Sequence, residues 1–358
     1  MKVETNLREV PLTEVPAAAR LAEELGFDSV AQAEVRRDPF ISLTLAATTT
    51  SRVMLAPAVA IVFPRSPMIV AYMSRNIQEL SQGRFTLGMG TQVKGHIERR
   101  FSTEWGRPGP RLREYVLALR AIWDCWQNGT PLHFEGEFYR FTLMTPEFSL
   151  GPTPYHPIPI QIAAVNTYLA RTAGELCDGL RLHSFTTPAY IRDVIWPNVI
   201  RGAQKAGRSL DNFQMIGGGF IATGADEEAV TKAREWVRRR IAFYASTRTY
   251  LPVLEHHGWE GINPELRKLI AQNRWDELAS LVDDEILDTF CTSGTYDEIV
   301  EAARKRLDGL VDMISFPLPE DASKAPDKVR EAVAGLTTLR PATEFRAAAS
   351  QGPATAAD

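Results

Sequence analysis

Four side chains able to do chemistry stand just past apolar, strand-like runs of this sequence: Glu34, Arg65, His96 and His183. Glu34 follows Phe27 to Ala33 and precedes Val35-Arg36-Arg37-Asp38, which puts a carboxylate at a strand end with two arginines nearby. It can accept a hydrogen bond from a ring N–H or a hydroxyl of a ligand, or close a salt bridge between strand and loop. Arg65, in Phe63-Pro64-Arg65-Ser66-Pro67, offers a phosphate or carboxylate contact, or equally a loop ion pair. His96 and His183 lie just beyond expected strand ends, where each can touch a ligand. The adjacent His256-His257 cannot face one way on a strand or a helix, and reads as a solvated turn before Gly258 rather than a metal site.

Gly88-Met89-Gly90-Thr91-Gln92-Val93 follows a strand as a dinucleotide fingerprint would, but Val93 occupies the place of the third glycine, which argues against a Rossmann site. The glycine pair still means that backbone approaches something closely, either a ligand phosphate or ring, or the rest of a tight barrel exit. The sequence contains no H-E-x-x-H, G-x-S-x-G or G-x-x-x-x-G-K-[ST], so metal hydrolysis, serine esterase chemistry and P-loop phosphoryl transfer lack their parts. Cys125, Cys177 and Cys291 are odd in number and far apart, consistent with buried thiols and no metal or redox pair.

Elements able to position these groups recur along the chain. Its 358 residues, 44% hydrophobic and 23% charged, suit a globular protein that buries a full core. A net charge of −4 leaves no basic footprint for nucleic acid, and no run reaches the ~20 apolar residues of a membrane span. The absence of a signal-like h-region after Met1 fits a soluble cytoplasmic protein. Eight short apolar runs alternate with amphipathic stretches: Lys2 to Asn6, Phe27 to Ala33, Val53 to Ala60, Arg84 to Gly90, Ile158 to Ala164, Leu180 to Ser184, Phe213 to Thr223 and Val311 to Phe316. That pattern predicts an α/β fold, a single (β/α)8 TIM barrel over residues 1–341 with insertions at 129–157, before strand five, and 246–290, before strand eight. Asp38-Pro39, Ser66-Pro67 and Thr187-Pro188 each mark a helix start after strands two, three and six, on the face where a barrel carries its chemistry. A hairpin is expected around His133 to Tyr139, a capping box at Thr295 and Glu298, and a disordered tail over 342–358.

Taken in order, Ala33-Glu34, Phe63-Pro64-Arg65-Ser66-Pro67, Gly83-Arg84-Phe85-Thr86-Leu87-Gly88-Met89-Gly90-Thr91 and Ala173-Gly174-Glu175-Leu176-Cys177-Asp178-Gly179 resemble the luciferase-like monooxygenase superfamily. The Gly-x-Gly-Thr exit and the helix Arg113 to Trp123 look most like its branch that uses the deazaflavin coenzyme F420, and the resemblance runs from about Met1 to Pro319. It implies a deazaflavin over the C-terminal strand ends and hydride transfer at its C5. It also implies a non-proline cis peptide at Ala58-Val59 in a bulge of strand three. Carried over by position, Glu34, Ala58, Val59, Thr91, Gln92 and His96 would line the ring and ribityl chain, and Ala164, Val165, His183 and Thr186 would hold the phosphate-bearing tail. Glu34 and His96 are the catalytic candidates, and no metal is implied. The sequence departs from the family at two points: Val35 replaces a histidine that several relatives carry, and Asn166-Thr167-Tyr168 replaces a Gly-Pro-basic turn.

The resemblance implies an F420-dependent oxidoreductase acting on a small alcohol, enone or similar compound, as a homodimer, with insertions that close over the substrate. A reduced-FMN monooxygenase and a non-catalytic flavin-binding barrel are the alternatives on the same fold.

Overall fold

A computed structural model describes residues 1–319, 322 and 325–350. All eight expected runs contribute to one parallel barrel sheet: Lys2–Asn6, Ser29–Gln32, Met54–Pro57 continued by Ala60–Ile61, Leu87–Gly90, Ile160–Ala164, Gly179–Leu182, Gln214–Ile216 and Met313–Ser315, here strands one to eight. Counting the halves of strand three separately gives nine strands. The first half pairs with strand two and the second with strand four, and a bridge between Leu55 and Phe85 closes the ring. Strand one completes the circle by pairing Glu4 with Ser29 on one side and with Ser315 on the other. The connecting helices pack outside this ring, as the right-handed βα repeat requires.

The expected caps act at the strand-to-helix face. Asp38, Ser66 and Thr187 accept from the backbone N–H of Phe40, Met68 and Tyr190, each with a proline at the start of its helix. The box at Thr295 forms by half. The Glu298 carboxylate accepts from the Thr295 N–H at 3.0 Å, but the helix Ile299–Leu307 begins only after Glu298.

Three expectations change. The seventh run does not continue past Ile216: Gly217, Gly218 and Gly219 take φ values of 122°, 134° and 98°, which turn the chain out of the barrel. The remainder, Phe220–Gly224, pairs in parallel with Cys291–Thr295 in a separate two-stranded sheet. Lone β-branched character could not reveal that partner, because it lies across the whole second insertion. The tail from Ala342 is helical over Thr343–Ser350, because Phe345 stacks on Trp196 with ring centroids 5.1 Å apart and Arg346 pairs with Asp312. The rest of that tail, 351–358, lies outside the described residues. The histidine pair forms a turn at Gly258, but only His256 is exposed; His257 is drawn inward by its bond to Thr187 and stacks on Trp259.

Both insertions are anchored. The first makes a hairpin of Phe134–Glu135 with Arg140–Phe141, and Glu114 on the helix Pro108–Asn128 accepts three backbone N–H groups from Glu137, Phe138 and Tyr139 at 2.7–2.9 Å. The second, largely helical, packs against the segment that follows strand six. Phe185 stacks on Phe290 at 4.4 Å, and Trp275 remains 48% exposed away from that contact.

The barrel interior is unusually polar. Arg181 of strand six makes two bonds, 2.8 and 2.9 Å, to Glu4 across the barrel, and Ser29 donates to the same carboxylate at 3.1 Å. Below this pair, on the N-terminal side, Gln161, Gln214 and Thr86 help to line a cavity of about 40 Å³.

Candidate active site

Because the strands run parallel, Ala163, Gly90 and the bulge of strand three, near their C-terminal ends, fall at the same end of the barrel as the helix caps. Strands three, four, five and six are consecutive in the sheet, so their C-terminal ends form one continuous arc. On that arc stand Ala58, Val59, Thr91, Gln92, Ala164 and Val165, with His183 and Thr186 following strand six. Asn6 and Ser315, at the ends of strands one and eight, are exposed, so the barrel mouth opens to solvent beside the arc.

The Ala58-Val59 peptide is cis, as the resemblance implied. It separates the halves of strand three, and Val59 lies directly against strand four. A Cβ on Gly90 would come within 2.5 Å of Val59 Cγ2, and one on Gly88 within 2.0 Å of the Pro57 carbonyl and 2.9 Å of Arg181 Nε. The close approach signalled by the glycine pair is therefore made by strand three and by the barrel's own ion pair. Gln92 takes φ 57°, and its amide oxygen accepts from the Val93 N–H at 3.0 Å, which shapes the exit from strand four.

Glu34 and Arg65, left open as ligand contacts by the sequence, bind each other. Arg65 donates from Nη1 and Nη2 to the two oxygens of Glu34 at 2.9 Å each, and from Nη2 to Asp38 at 2.7 Å. Glu34 also accepts from the Ile61 N–H at 2.7 Å. Burial opposes the charge on Arg65, but hydrogen bonds to Glu34 and Asp38 outweigh it and raise the pKa. The carboxylate thus holds the second half of strand three in place. Replacing Glu34 with Gln is expected to cost about 1.5–3 kcal/mol, the worth of hydrogen bonds to a charged group, while kcat per folded molecule changes little. Denaturant unfolding and steady-state rates check this; a hundredfold fall in kcat at unchanged stability would restore Glu34 as a catalytic residue. His96 is exposed on the short helix Lys94–Arg99 that follows strand four, and its ring makes no hydrogen bond among the described residues.

Beyond strand five the helix Thr167–Leu176 begins at the barrel face, capped by Asn166, whose side chain accepts from the Leu169 N–H at 2.9 Å. A glycine and a cation are absent from this turn, yet the free N–H groups of a ten-residue helix still point to the arc side. Thr186 is 4% exposed and its hydroxyl has no partner among the described residues. A buried, unpaired hydroxyl is costly unless something completes its bonding.

His183 is packed from one side by residues that sequence reasoning missed. Tyr250 stacks on it at 4.6 Å, Tyr244 meets it edge-on at 4.5 Å, and Arg240 bonds the Tyr244 hydroxyl. The residue as a whole is half-buried, and burial, with Arg240 second, pushes the ring's pKa down to about 4. Tyr244 ends the helix Glu227–Ala245 and Tyr250 lies in the following turn. Only their aromatic type could have hinted at this, since no periodicity links them to strand six.

Comparison with known proteins decides the family. The model of the luciferase-like monooxygenase family matches residues 2–313. The chain belongs to that family. Membership makes this luciferase-like protein an oxidoreductase. An uncharacterized protein of Mycobacterium tuberculosis is 44% identical over 83% of this chain and 87% of its own length. A 5,10-methylenetetrahydromethanopterin reductase of Archaeoglobus fulgidus is 29% identical, covering 79% and 82%. Among solved structures, the coenzyme F420-dependent tetrahydromethanopterin reductase of Methanopyrus kandleri superposes with a TM-score of 0.74 at 22% identity, covering 96% and 99%. The oxygenating constituent of 3,6-diketocamphane monooxygenase from Pseudomonas putida, in complex with FMN, gives 0.66 at 15% identity, covering 95% and 98%. At these identities the structures establish the shared TIM-barrel fold. Among the described residues, no helix is long and apolar enough to cross a membrane, and no group of three His, Cys, Asp or Glu residues could hold a metal ion.

Proposed function

We propose that this luciferase-like protein is an F420-dependent oxidoreductase acting on a small organic substrate. The observation that carries the reading is the arc over strands three to six, which ends in a buried hydroxyl without a partner at Thr186 and a capped helix start at Thr167. Such a row suits a long, planar-headed ligand with an anionic tail. Its relatives' names add weight: methylenetetrahydromethanopterin reductases and a putative F420-dependent oxidoreductase of Mycobacterium tuberculosis align over most of the chain.

When bound, the deazaflavin would supply or accept the hydride at C5. The protein's part is positioning. Val59 and Ala58 would support the ring from strand three, backed by Gly90; Thr91 and Gln92 would meet the ribityl hydroxyls; Ala164, Val165, His183 and Thr186 would face the tail. Phe63, with Trp105 edge-on at 6.0 Å and Arg111 over its ring at 4.5 Å, walls the strand-three side and limits water. Glu34 is spent on Arg65, so the proton that accompanies hydride transfer to a carbonyl comes from another donor or from water. Homodimerisation belongs to the same reading, and sedimentation velocity at micromolar concentration tests it.

A reduced-FMN monooxygenase is the second reading, favoured by the family match and the FMN-bound structural neighbour. Anaerobic titration with F420 and, separately, FMN, followed by tryptophan fluorescence, separates the two. Saturable, preferential F420 binding is expected. Preferential FMN binding with oxygen-dependent turnover would replace this reading by the second.

A further inference from the structure

His183 lies at the point where strand six, the second insertion and the barrel mouth meet. Its Nδ1 is 3.0 Å from the backbone N–H of Phe185, which donates to it. An N–H facing that nitrogen requires Nδ1 to carry a lone pair, so the ring proton sits on Nε2. Nε2 makes no hydrogen bond among the described residues and is not sealed from solvent. Stacked Tyr250 and edge-on Tyr244 fix the plane of the ring. One proton, in one direction, is thereby left for something outside the chain.

We propose that His183 is a fixed, single-proton hydrogen-bond donor, offering Nε2–H to an acceptor oxygen of the ligand held over strands five and six. This rests on the cofactor reading above and deepens it, because it specifies how the tail side is recognised: by direction, with a neutral donor, instead of by a cationic imidazolium. The charged and titratable groups facing the ring are Arg240 and the phenols of Tyr244 and Tyr250. None is a carboxylate that would favour a second proton. Protonation of Nδ1 would also set two N–H groups against each other at the Phe185 bond. Thr186, three positions after His183, is buried with no hydrogen-bond partner for its hydroxyl among the described residues, and can accept from or donate to the same group. The second insertion acquires a role distinct from a lid over substrate: through Tyr250 it holds the orientation of one ligand contact.

The test uses the intact protein labelled with 15N-histidine, which has six histidines to resolve. Long-range 1H–15N correlation, with the His183→Gln variant identifying the resonance, reads the tautomer directly. The expected spectrum shows an unprotonated Nδ1 and a protonated Nε2, unchanged between pH 5.5 and pH 8 (about the range in which free histidine titrates). Saturation with F420 is expected to shift the Nε2 resonance. His183→Phe, which keeps a flat ring but has no N–H, should weaken F420 binding about three- to tenfold, and His183→Gln, whose amide retains a donor, should recover part of that loss. A protonated Nδ1, or titration with a midpoint near the ordinary histidine value, overturns the proposal in the wild-type protein without recourse to a variant. F420 saturation that leaves Nε2 unmoved overturns it while the cofactor assignment stands. Failure of both F420 and FMN to bind overturns both together.

Discussion

Arg181→Leu should be the most damaging of the interior substitutions, with an expected loss of about 3–5 kcal/mol, the usual cost of removing one partner of a buried ion pair. Glu4 and Arg181 are 2% and 6% exposed, and both terminal nitrogens of Arg181 donate to Glu4 across the barrel while Nε has no partner among the described residues. Without the guanidinium, the buried Glu4 carboxylate keeps one side-chain donor among the described residues, Ser29. The energy is the penalty of the abandoned carboxylate more than the worth of the pair, so a second change should reveal it. Glu4→Gln combined with Arg181→Leu is expected to regain a substantial part of the loss, since a neutral amide is far cheaper to bury. Urea unfolding of the two single variants and the double variant measures the coupling. Additive effects would mean that the pair contributes nothing as a pair. Arg181 also touches the place where a side chain on Gly88 would go, so the same ion pair that fills the barrel backs the bulge beneath the candidate site.

The second large effect is at the glycine pair, and the two glycines are expected to fail differently. Alanine at Gly88 would drive its methyl into the Pro57 carbonyl, which is backbone and cannot rotate away. Overpacking of this kind costs about 1–3 kcal/mol or more, so Gly88→Ala should lower thermal stability clearly. Alanine at Gly90 meets a side-chain methyl of Val59 at 2.5 Å, and Val59 can give way. The fold should therefore tolerate Gly90→Ala, but Val59 would be displaced from the surface proposed to support the ring. Binding of F420 is expected to fall by about tenfold or more with a small change in melting temperature, since a misplacement near 1 Å is enough to spoil a positioned site. Unchanged F420 affinity in a well-folded Gly90→Ala protein would show that the ring does not rest on that bulge.

The barrel was legible because each βα unit announces itself locally. An apolar run of strand length, an N-cap with proline, and an amphipathic helix recur, and Asp38, Ser66 and Thr187 do cap the helices they precede. The strand-three bulge and the arc residues came from resemblance, because no local rule places a ligand on Ala58 or Val165. Side-chain partners were less accessible. Glu34 had two arginines next to it in sequence, yet it pairs with Arg65, thirty-one positions away, because strands two and three lie side by side. Phe213 to Thr223 read as one strand, and only the backbone of three consecutive glycines shows where it leaves the barrel.

By itself, the sequence determined the class of fold, the helix starts at the C-terminal strand ends and the family, since these depend on periodicity, caps and ordered motifs that are written along the chain. The tertiary structure alone decided that Glu34 pairs with Arg65, that Arg181 and Glu4 share the barrel interior, and that the second insertion docks on His183 through Tyr250. Those outcomes turn on which distant side chains meet when the ring closes. A carboxylate, a guanidinium or an imidazole has no fixed role until burial and partners determine its charge, its proton and its direction.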